Sequence, residues 1–232
     1  LQKYSGRALL ITTSACAVHC RYCFRRHFPY AEDGAQRTRL TAALAALEPA
    51  AEITEVILSG GDPLMLDDAA LAELIGSLER LPQLKRLRIH SRMPSILPSR
   101  VTDQLCRTLA SSRLQVIVVA HINHPAEISP DAQRALLKLS ELGGPLLNQS
   151  VLLRGVNDDL ETLVELSEAL VATRVLPYYI HVLDPVSGAA HFDVQESEAC
   201  QLVTALRQRL PGYLVPRLAR ERPGDSAKTI LI

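Results

Sequence analysis

Three cysteines lie within eight consecutive positions of this 232-residue chain, in the run S-A-C-A-V-H-C-R-Y-C-F-R-R. Cys16, Cys20 and Cys23 have the spacing C-x3-C-x2-C. Thiolates are the usual protein ligands of iron–sulfur clusters, and four of them complete a 4Fe–4S cube. Three thiolates leave one iron open, and an open iron can chelate the amino and carboxylate groups of S-adenosylmethionine (SAM). The spacing therefore predicts a 4Fe–4S cluster with an open coordination site.

Two other interpretations of the three cysteines stay open on spacing alone. One is a structural zinc site that takes its fourth ligand from His19 or His27, and the other is an accidental grouping of thiols. The other two cysteines, Cys106 and Cys200, fall in helical patterns, where we expect buried and unreactive thiols.

Arg25 and Arg26 directly follow the cysteine run. An adjacent pair of arginines is consistent with a solvated basic surface. A guanidinium also matches a carboxylate in two-pronged geometry, so the second interpretation is a carboxylate clamp beside the cluster.

Short runs of β-branched and apolar residues alternate with longer segments that have apolar residues at helical spacing. The predicted strands are Ala8–Thr13, Glu55–Ser59, Arg86–His90, Gln115–His121, Leu146–Leu153 and Pro177–Leu183. The predicted helices are Thr38–Leu47, Asp67–Leu81, Pro98–Ser111, Pro130–Leu142, Asp159–Thr173 and Ser197–Leu210. Six strand–helix repeats without hairpin turns favour a parallel sheet with right-handed crossovers. Because a closed barrel needs eight units, we predict an α/β fold that forms an open, partial parallel β/α barrel in one domain, residues 1–232.

This layout predicts where function lies, because chemistry in α/β barrels gathers on the loops at the carboxyl ends of the strands. The stretches that carry cysteines, paired glycines, or histidine and acidic side chains lie in that position, after the first, second, fourth and sixth strands. These stretches are Cys16–Arg26, Gly60–Pro63, His121–Pro125 and Asp184–Phe192.

Composition excludes several classes of protein. The 25 basic and 25 acidic residues cancel and form no long basic run, which is not typical of a nucleic-acid-binding surface. The apolar stretches are shorter than the roughly 20 residues that span a bilayer, so we expect no membrane segment. Five cysteines, three of them in one run, do not resemble a secreted disulfide framework. A cytoplasmic location is therefore expected.

Several longer motifs together resemble the lysine 2,3-aminomutase family of radical SAM enzymes. They are T-S-A-C-A-V-H-C-R-Y-C-F-R-R-H-F, L-S-G-G-D-P-L, I-N-H-P-A-E-I, N-Q-S-V-L-L-R-G-V-N-D-D and the closing K-T. The runs H-V-L-D-P-V-S-G-A-A-H-F-D-V and Y-L-V-P-R-L-A-R-E resemble one branch of it, the bacterial enzymes that make β-lysine for modification of translation elongation factor P. The resemblance covers essentially the whole chain.

The resemblance implies contacts to three cofactors. Lys228 matches the lysine that forms a Schiff base with pyridoxal 5′-phosphate (PLP), in a C-terminal PLP-binding tail. The implied cluster ligands are Cys16, Cys20 and Cys23, the implied SAM contacts are Gly60, Gly61, Asp62, His121 and Gln149, and the implied phosphate contacts of PLP are Arg7, Lys3 and Tyr4. Without the resemblance, a lysine this close to Ile232 would be interpreted as a solvated charge.

The resemblance also implies how the substrate is held. Arg25 matches the position that binds the substrate α-carboxylate, and Asp184 matches one of two acids that hold its distal ammonium. Glu221 falls near the second acid, although the spacing E-R-P-G-D-S-A-K departs there from the glycine-rich pattern of the degradative aminomutases. Two carboxylates facing one ammonium make physical sense, because a buried ammonium needs paired charge.

The activity that the resemblance implies is isomerisation of L-α-lysine to β-lysine. Lysine is then the small-molecule partner, with a functional link to a β-lysine ligase and elongation factor P. Degradative aminomutases carry further C-terminal cysteines that bind a structural zinc, so we expect no structural zinc here. We expect a helical segment to precede Leu1 in the native protein, and the oligomeric state is open, with a homo-oligomer as one option.

Three alternative functions are retained. The first is a related aminomutase on another amino acid such as glutamate, against which Asp184 argues because it would repel an acidic side chain. The second is a radical SAM enzyme that acts on a macromolecule, against which the zero net charge argues where that macromolecule is a nucleic acid. The third is a catalytically silent iron–sulfur module that docks on a translation protein.

Overall fold

The computed structural model describes Tyr4, residues 6–26 and 36–222, Asp225 and residues 227–232. Its centre is an eight-stranded sheet in which the strands follow one another in chain order. The strands are β1 (Arg7–Thr13), β2 (Glu55–Gly60), β3 (Arg86–Ser91), β4 (Gln115–His121), β5 (Leu146–Val151), β6 (Leu176–His181), β7 (Arg217–Arg220) and β8 (Thr229–Ile230). Strands β1 to β7 are parallel and β8 is antiparallel to β7.

Helices in the described part of the chain connect the strands. They are α1 (Gln36–Leu47), α2 (Asp68–Glu79), α3 (Met93–Ile96), α4 (Asp103–Ala110), α5 (Pro130–Ser140), α6 (Leu160–Ala172) and α7 (Glu196–Arg209). Strands β1 and β8 are the two edges of the sheet, so the barrel is open. The predicted α/β fold with an open, parallel-dominated sheet is confirmed. Among the described residues, no helix combines the length and the apolar character that crossing a bilayer requires.

The two faces of the sheet have different chemistry, which β3 illustrates. Leu87 and Ile89 are fully buried in the core beneath the helices, and burial of such a side chain stabilises the fold by roughly 1.5–3 kcal/mol. Arg88 and His90 alternate with them and therefore face the concave side. The Arg88 guanidinium forms an ion pair with Glu55 of the neighbouring strand. The concave side of β3 is thus polar and charged, whereas Ile57, Ile117 and Val119 of the neighbouring strands add apolar groups to the same face.

All six predicted strands are confirmed, with boundaries within two residues. Strands β7 and β8 were not predicted, because four and two residues are too short to show a period. Leu218 of β7 is fully buried, and its N–H donates to the carbonyl of Ile232 at 3.2 Å while its carbonyl accepts from Leu231 at 2.9 Å. The last residues of the chain are therefore anchored on the sheet.

The predicted helix Pro98–Ser111 is wrong in its first part. Residues Pro98–Arg100 form a separate 3-10 turn, and Val101 leaves the helical conformation with a ψ of 72°. The helix begins after Thr102, whose hydroxyl accepts from the N–H of Leu105 at 3.0 Å. This cap restarts the chain as α4.

The two cysteines outside the cysteine run are half-buried, which is less burial than we expected. Cys106 on α4 and Cys200 on α7 each pack against the edge of a hydrophobic cluster. Burial raises the pKa of the Cys106 thiol, which disfavours the reactive thiolate.

Candidate active site

The loop that follows β1 holds Cys16, Cys20 and Cys23, each half-buried. The N–H of Cys23 donates to the carbonyl of Cys20 at 3.2 Å, so the last two cysteines share a tight turn. Burial, followed by the charges of Asp62 and of the other two cysteines, raises the pKa of the Cys16 thiol to about 11. The charges of Cys20 and Cys23 therefore act on the Cys16 thiol.

The arrangement of these thiols bears on the alternative of a zinc site. Within the described ranges, no three Cys, His, Asp or Glu side chains converge on a point where a single ion would sit. A 4Fe–4S cube instead takes each thiolate on a different iron. Ligation of a cluster by the three cysteines stays a prediction, and His27, one of the two histidines considered for zinc, lies outside the described residues.

The paired glycines at the end of β2 fix the position of the cysteine loop. Gly60 has a φ of +124°, and a Cβ on Gly61 would lie only 2.1 Å from the carbonyl oxygen of Ala15. The N–H of Gly61 donates to the carbonyl of Thr13 at 2.7 Å. This close approach holds Ala15, and with it the neighbouring Cys16, against the end of β2.

Asp62 joins the glycine turn to the end of β3. Its carboxylate accepts hydrogen bonds from the N–H of Leu64 at 3.0 Å, the hydroxyl of Ser91 at 2.7 Å and the N–H of Arg92 at 2.7 Å. Asp62 is only 6% exposed, and burial raises its pKa although these hydrogen bonds oppose the shift. These contacts show that Asp62 stabilises the glycine turn against the end of β3. Its contact with SAM stays a prediction.

Arg25 lies against the end of β2 and not free in solvent. Its Nη1 donates to the hydroxyl of Ser59 at 2.6 Å and to the carbonyl of Gly60 at 3.3 Å. Its guanidinium carbon lies 4.7 Å from the ring centroid of Phe24. These contacts orient a half-buried cation beside the cysteine loop, and its binding of a carboxylate stays a prediction.

A hydrogen-bonded network surrounds Cys20. Nη1 of Arg92 lies 3.0 Å from Cys20 Sγ and 2.6 Å from the hydroxyl of Tyr22, and Nη2 of Arg92 lies 2.6 Å from the Glu127 carboxylate. The other oxygen of Glu127 accepts from the N–H of Asn123 at 2.8 Å. The Asn123 side chain also donates to the Tyr22 hydroxyl. The loops after β1, β3 and β4 are thus tied together at one cysteine.

The sequence analysis did not single out the members of this network. Arg92 directly follows β3, at the carboxyl end of a strand, so the position rule for barrels was a usable signal. Asn123 and Glu127 belong to the motif I-N-H-P-A-E-I, whose individual residues received no role.

Two neutral imidazoles lie at the carboxyl ends of the central strands. His121 Nε2 is 3.1 Å from the Tyr22 hydroxyl, and burial, followed by the charge of Arg92, lowers the pKa of His121 to about 3. Nδ1 of His90 is 3.1 Å from Nε2 of Gln149, and burial lowers the His90 pKa well below its usual value. His90 lies on β3 and Gln149 on β5, with β4 between them in the sheet. Because they contact each other across β4, both side chains lie on the concave face.

Lys228 lies inside the concave face, half-buried, and not in a solvated tail. Its Nζ is 3.3 Å from His181 Nε2, 3.5 Å from the Glu221 carboxylate and 5.2 Å from the ring centroid of Tyr179. Burial lowers the pKa of Lys228, while the charges of Glu221 and then Asp184 oppose that shift. Both predicted ammonium-binding acids therefore lie within electrostatic range of this amine.

Tyr4 and Arg7 lie next to the main chain of Lys228. The Tyr4 hydroxyl accepts from the N–H of Lys228 at 3.1 Å, and the Arg7 guanidinium stacks over the Tyr4 ring at 4.0 Å. Nε of Arg7 is buried without a hydrogen-bond partner among the described residues. A buried, unpaired guanidinium nitrogen is suited to an anion such as a phosphate. Lys3, the third predicted phosphate contact, lies outside the described residues.

Charges from both halves of the site act on His90. Its pKa is lowered by burial and also by the charges of Lys228 and Arg25. Both cations are therefore within electrostatic range of the same imidazole. Tyr179 and His181, which sequence reasoning missed, lie at the end of β6, and the polar run Y-Y-I-H was the available signal.

Comparison with known proteins identifies the family. The model of the radical SAM superfamily matches residues 10–167. The L-lysine 2,3-aminomutase of Haemophilus influenzae is 51% identical over 230 residues, which cover 99% of this chain and 68% of that protein. This chain belongs to the lysine 2,3-aminomutase family. The enzyme of the same name from Escherichia coli is 51% identical over 231 residues, 100% of this chain and 68% of that protein.

A more distant L-lysine 2,3-aminomutase, from Clostridium subterminale, is 38% identical over 228 residues, 98% of this chain and 55% of that protein. Membership of the lysine 2,3-aminomutase family makes this chain an enzyme of the isomerase class. Membership of the radical SAM superfamily implies a 4Fe–4S cluster and SAM.

Solved structures agree on the fold. Streptococcus suis SuiB bound to S-adenosylmethionine superposes with a TM-score of 0.67 at 14% identity, covering 95% of this chain and 51% of that one. A radical SAM methyltransferase from Sphaerobacter thermophilus superposes with a TM-score of 0.58 at 18% identity, covering 80% and 56%. At these identities the likeness concerns the fold alone.

Proposed function

We propose that this aminomutase converts L-α-lysine to β-lysine with a 4Fe–4S cluster, SAM and PLP. The observation that carries the proposal is the burial of Lys228 on the concave face, 3.5 Å from Glu221 and within range of Asp184. When bound, these cofactors supply abstraction of a hydrogen atom from the lysine β-carbon and a conjugated system that carries the amino nitrogen between carbons.

Cys16, Cys20 and Cys23 would hold the cluster in this proposal. Their thiols lie on one loop that Gly61 holds in place by its close approach to Ala15. SAM would then bind at the open iron, with Gly60, Gly61, Asp62, His121 and Gln149 as its proposed contacts.

PLP would be held at Lys228. Burial lowers the pKa of this lysine, which favours the neutral amine that attacks a carbonyl. His181, itself neutral because burial lowers its pKa to about 3, accepts or donates a hydrogen bond at the lysine nitrogen. Arg7 and Tyr4 would face the phosphate, and Lys3 is proposed with them from the sequence.

The substrate would be recognised by opposite charges at its two ends. Arg25 would bind the α-carboxylate with its guanidinium fork, while Asp184 and Glu221 would bind the ε-ammonium. A glutamate substrate would place its side-chain carboxylate against these acids, and like charges repel. The charge distribution therefore supports lysine over glutamate.

We also propose a cytoplasmic location, because five cysteines with three in one run do not resemble a secreted disulfide framework. The runs H-V-L-D-P-V-S-G-A-A-H-F-D-V and Y-L-V-P-R-L-A-R-E support supply of β-lysine to a ligase that modifies translation elongation factor P. We propose a single core domain, residues 1–232, with Lys228 in its C-terminal tail.

An anaerobic turnover assay tests the function. Reconstituted enzyme with lysine, SAM, PLP and a reductant should form β-lysine, which chiral chromatography with mass detection identifies. Glutamate in place of lysine should form no β-isomer. Turnover of glutamate but not lysine, or release of neither product by enzyme that carries both cluster and PLP, would contradict the proposal.

A further inference from the structure

Arg92 is held at several points beside the cysteine loop. Its N–H donates to the carboxylate of Asp62 at 2.7 Å, and its Nη2 donates to Glu127 at 2.6 Å. Its Nη1 then points at Cys20 Sγ, 3.0 Å away, and at the hydroxyl of Tyr22. The side chains of Arg92 and Glu127 are 19% and 23% exposed. The guanidinium is therefore oriented, and largely shielded from solvent, toward one sulfur atom.

This contact distinguishes Cys20 among the three cysteines. Among the hydrogen bonds of the described residues, the one from Arg92 is the only side-chain bond to a cysteine sulfur in the loop. A hydrogen bond or a positive charge at a ligand sulfur stabilises the additional electron of a reduced cluster. A carboxylate at the far side of the guanidinium cancels part of that charge.

We propose that Arg92 is a positioning residue that sets the reduction potential of the cluster through Cys20, and that Glu127 moderates its effect. This inference rests on the cluster ligation by Cys20 that the proposed function contains. Arg92 raises the potential by donating to the sulfur of Cys20. Glu127 lowers it by holding the opposite edge of the guanidinium. A higher potential makes the cluster easier to reduce, and a lower potential makes the reduced cluster a stronger reductant. Arg92 and Glu127 together set the potential between these two requirements.

Two substitutions should move the potential in opposite directions. Arg92→Met keeps much of the side-chain volume but removes the donor and the charge, so the midpoint potential should become more negative. Glu127→Gln removes only the counter-charge, so the midpoint potential should become more positive. Arg92→Lys keeps a charge and a donor and should lie between the wild type and Arg92→Met. If Arg92 and Glu127 only supported the structure of the loop, the midpoint potentials of Arg92→Met and Glu127→Gln would shift in the same direction.

Arg100 offers a matched control on the same side of the fold. It pairs with Asp68 and donates to the carbonyls of Leu64 and Leu66. Arg100→Met therefore removes an ion-paired arginine whose side chain contacts the segment between β2 and α2 and the first residue of α2. Its cluster potential should equal that of the wild type.

The measurement is an anaerobic redox titration of reconstituted protein followed by electron paramagnetic resonance, after the iron content has been determined. Opposite shifts in Arg92→Met and Glu127→Gln support the inference. Shifts of the same sign, no shift, or an equal shift in Arg100→Met overturn it. If Arg92→Met holds no iron, Glu127→Gln decides, since a rise supports the inference and no rise overturns it. Failure of the wild type to hold a cluster would instead count against the proposed function.

Discussion

The ammonium group of Lys228 is subject to two opposing effects. Burial favours the neutral amine and lowers its pKa, whereas the carboxylates of Glu221 and Asp184 favour the charged form. Burial is the larger effect, so the neutral amine is reached at lower pH than for an ordinary lysine, whose pKa is about 10.4. The same two acids would later face the ammonium of the substrate.

The pH dependence of PLP attachment should report this balance. Removal of the Glu221 charge removes an effect that raises the pKa of Lys228. Glu221→Gln should therefore shift the pH profile of PLP attachment further to lower pH. The profile is measured by the absorbance of the enzyme with PLP, in the absence of lysine. Glu165→Gln, an exposed change on α6, is the control and should leave the profile unchanged. A shift of the Glu221→Gln profile to higher pH would contradict the assignment.

The substrate preference should depend on Asp184. Asp184→Asn keeps the shape but removes a counter-charge, and loss of one partner of a buried charge pair costs about 2–5 kcal/mol. We expect kcat/KM for lysine to fall roughly 30-fold to several thousand-fold, since about 1.4 kcal/mol is a factor of ten.

The informative comparison for that variant is lysine against norleucine, which lacks the distal ammonium. Wild-type enzyme should strongly prefer lysine, and Asp184→Asn should lose most of this preference while retaining iron and PLP. Glu165→Gln should behave as the wild type. Unchanged discrimination in Asp184→Asn would show that Asp184 does not bind the substrate ammonium.

At the scale of elements, the turn after β2 and the loop after β1 behave as one unit. The backbone of Gly61 approaches Ala15 so closely that no side chain fits between them, and Asp62 ties the same turn to the end of β3. Three strand ends are therefore joined beside Cys16, two of them by backbone contacts and the third through the buried carboxylate of Asp62. The backbone contacts tolerate little adjustment, because neither partner can change a rotamer.

Gly61→Ala should disrupt this unit. The added Cβ would lie 2.1 Å from the Ala15 carbonyl oxygen, so the loop that carries Cys16 must move. We expect loss of most of the iron after reconstitution, measured by iron analysis and by the absorbance of the cluster. Gly76→Ala is the matched control, because nothing lies within 4 Å of its Cβ and alanine is favoured over glycine in a helix by about 1 kcal/mol. Full iron content in Gly61→Ala would disprove this account of the turn.

At the scale of the whole molecule, the two edges of the sheet are linked by a side chain. Strands β1 and β8 are the edges in the hydrogen-bonding order, yet the Tyr4 hydroxyl beside β1 accepts from the N–H of Lys228 beside β8. On the other end of β1, Arg21 lies 3.0 Å from His191 in the loop after β6. The open barrel therefore brings Tyr4 and Lys228 together, although they are 224 residues apart.

The two cofactor regions should nonetheless be separable, because different contacts hold Lys228 and the cysteine loop. Lys228→Ala should retain the iron of the wild type but lose attachment of PLP, detected by borohydride reduction and peptide mass analysis. Cys16→Ala should lose iron and retain PLP attachment. Lys85→Ala and Cys106→Ala are the controls and should retain both. Fixation of PLP at another lysine in wild-type enzyme would overturn the assignment of Lys228.

Local chemistry determined much of this protein from its sequence alone. The spacing of Cys16, Cys20 and Cys23 indicated a cluster because ligands on one loop need no tertiary information to be recognised as a group. The six longer strands were predictable because a run of five to eight residues shows its periodicity. The position of the reactive loops followed from the rule that parallel strands present their carboxyl ends at one edge.

Only the tertiary structure decided the environment of single groups. Lys228 has no local feature that distinguishes it from a solvated charge, and its lowered pKa results from burial beside residues far away in sequence. Arg92 and Cys20 are 72 residues apart, so no spacing pattern could pair them. The short strands β7 and β8 exist because Leu218 and the final residues find partners on an existing sheet. The burial of Lys228, the Arg92–Cys20 contact and the pairing of β7 and β8 all depend on residues that are distant in sequence. The periodicity of neighbouring residues carries no information about such contacts.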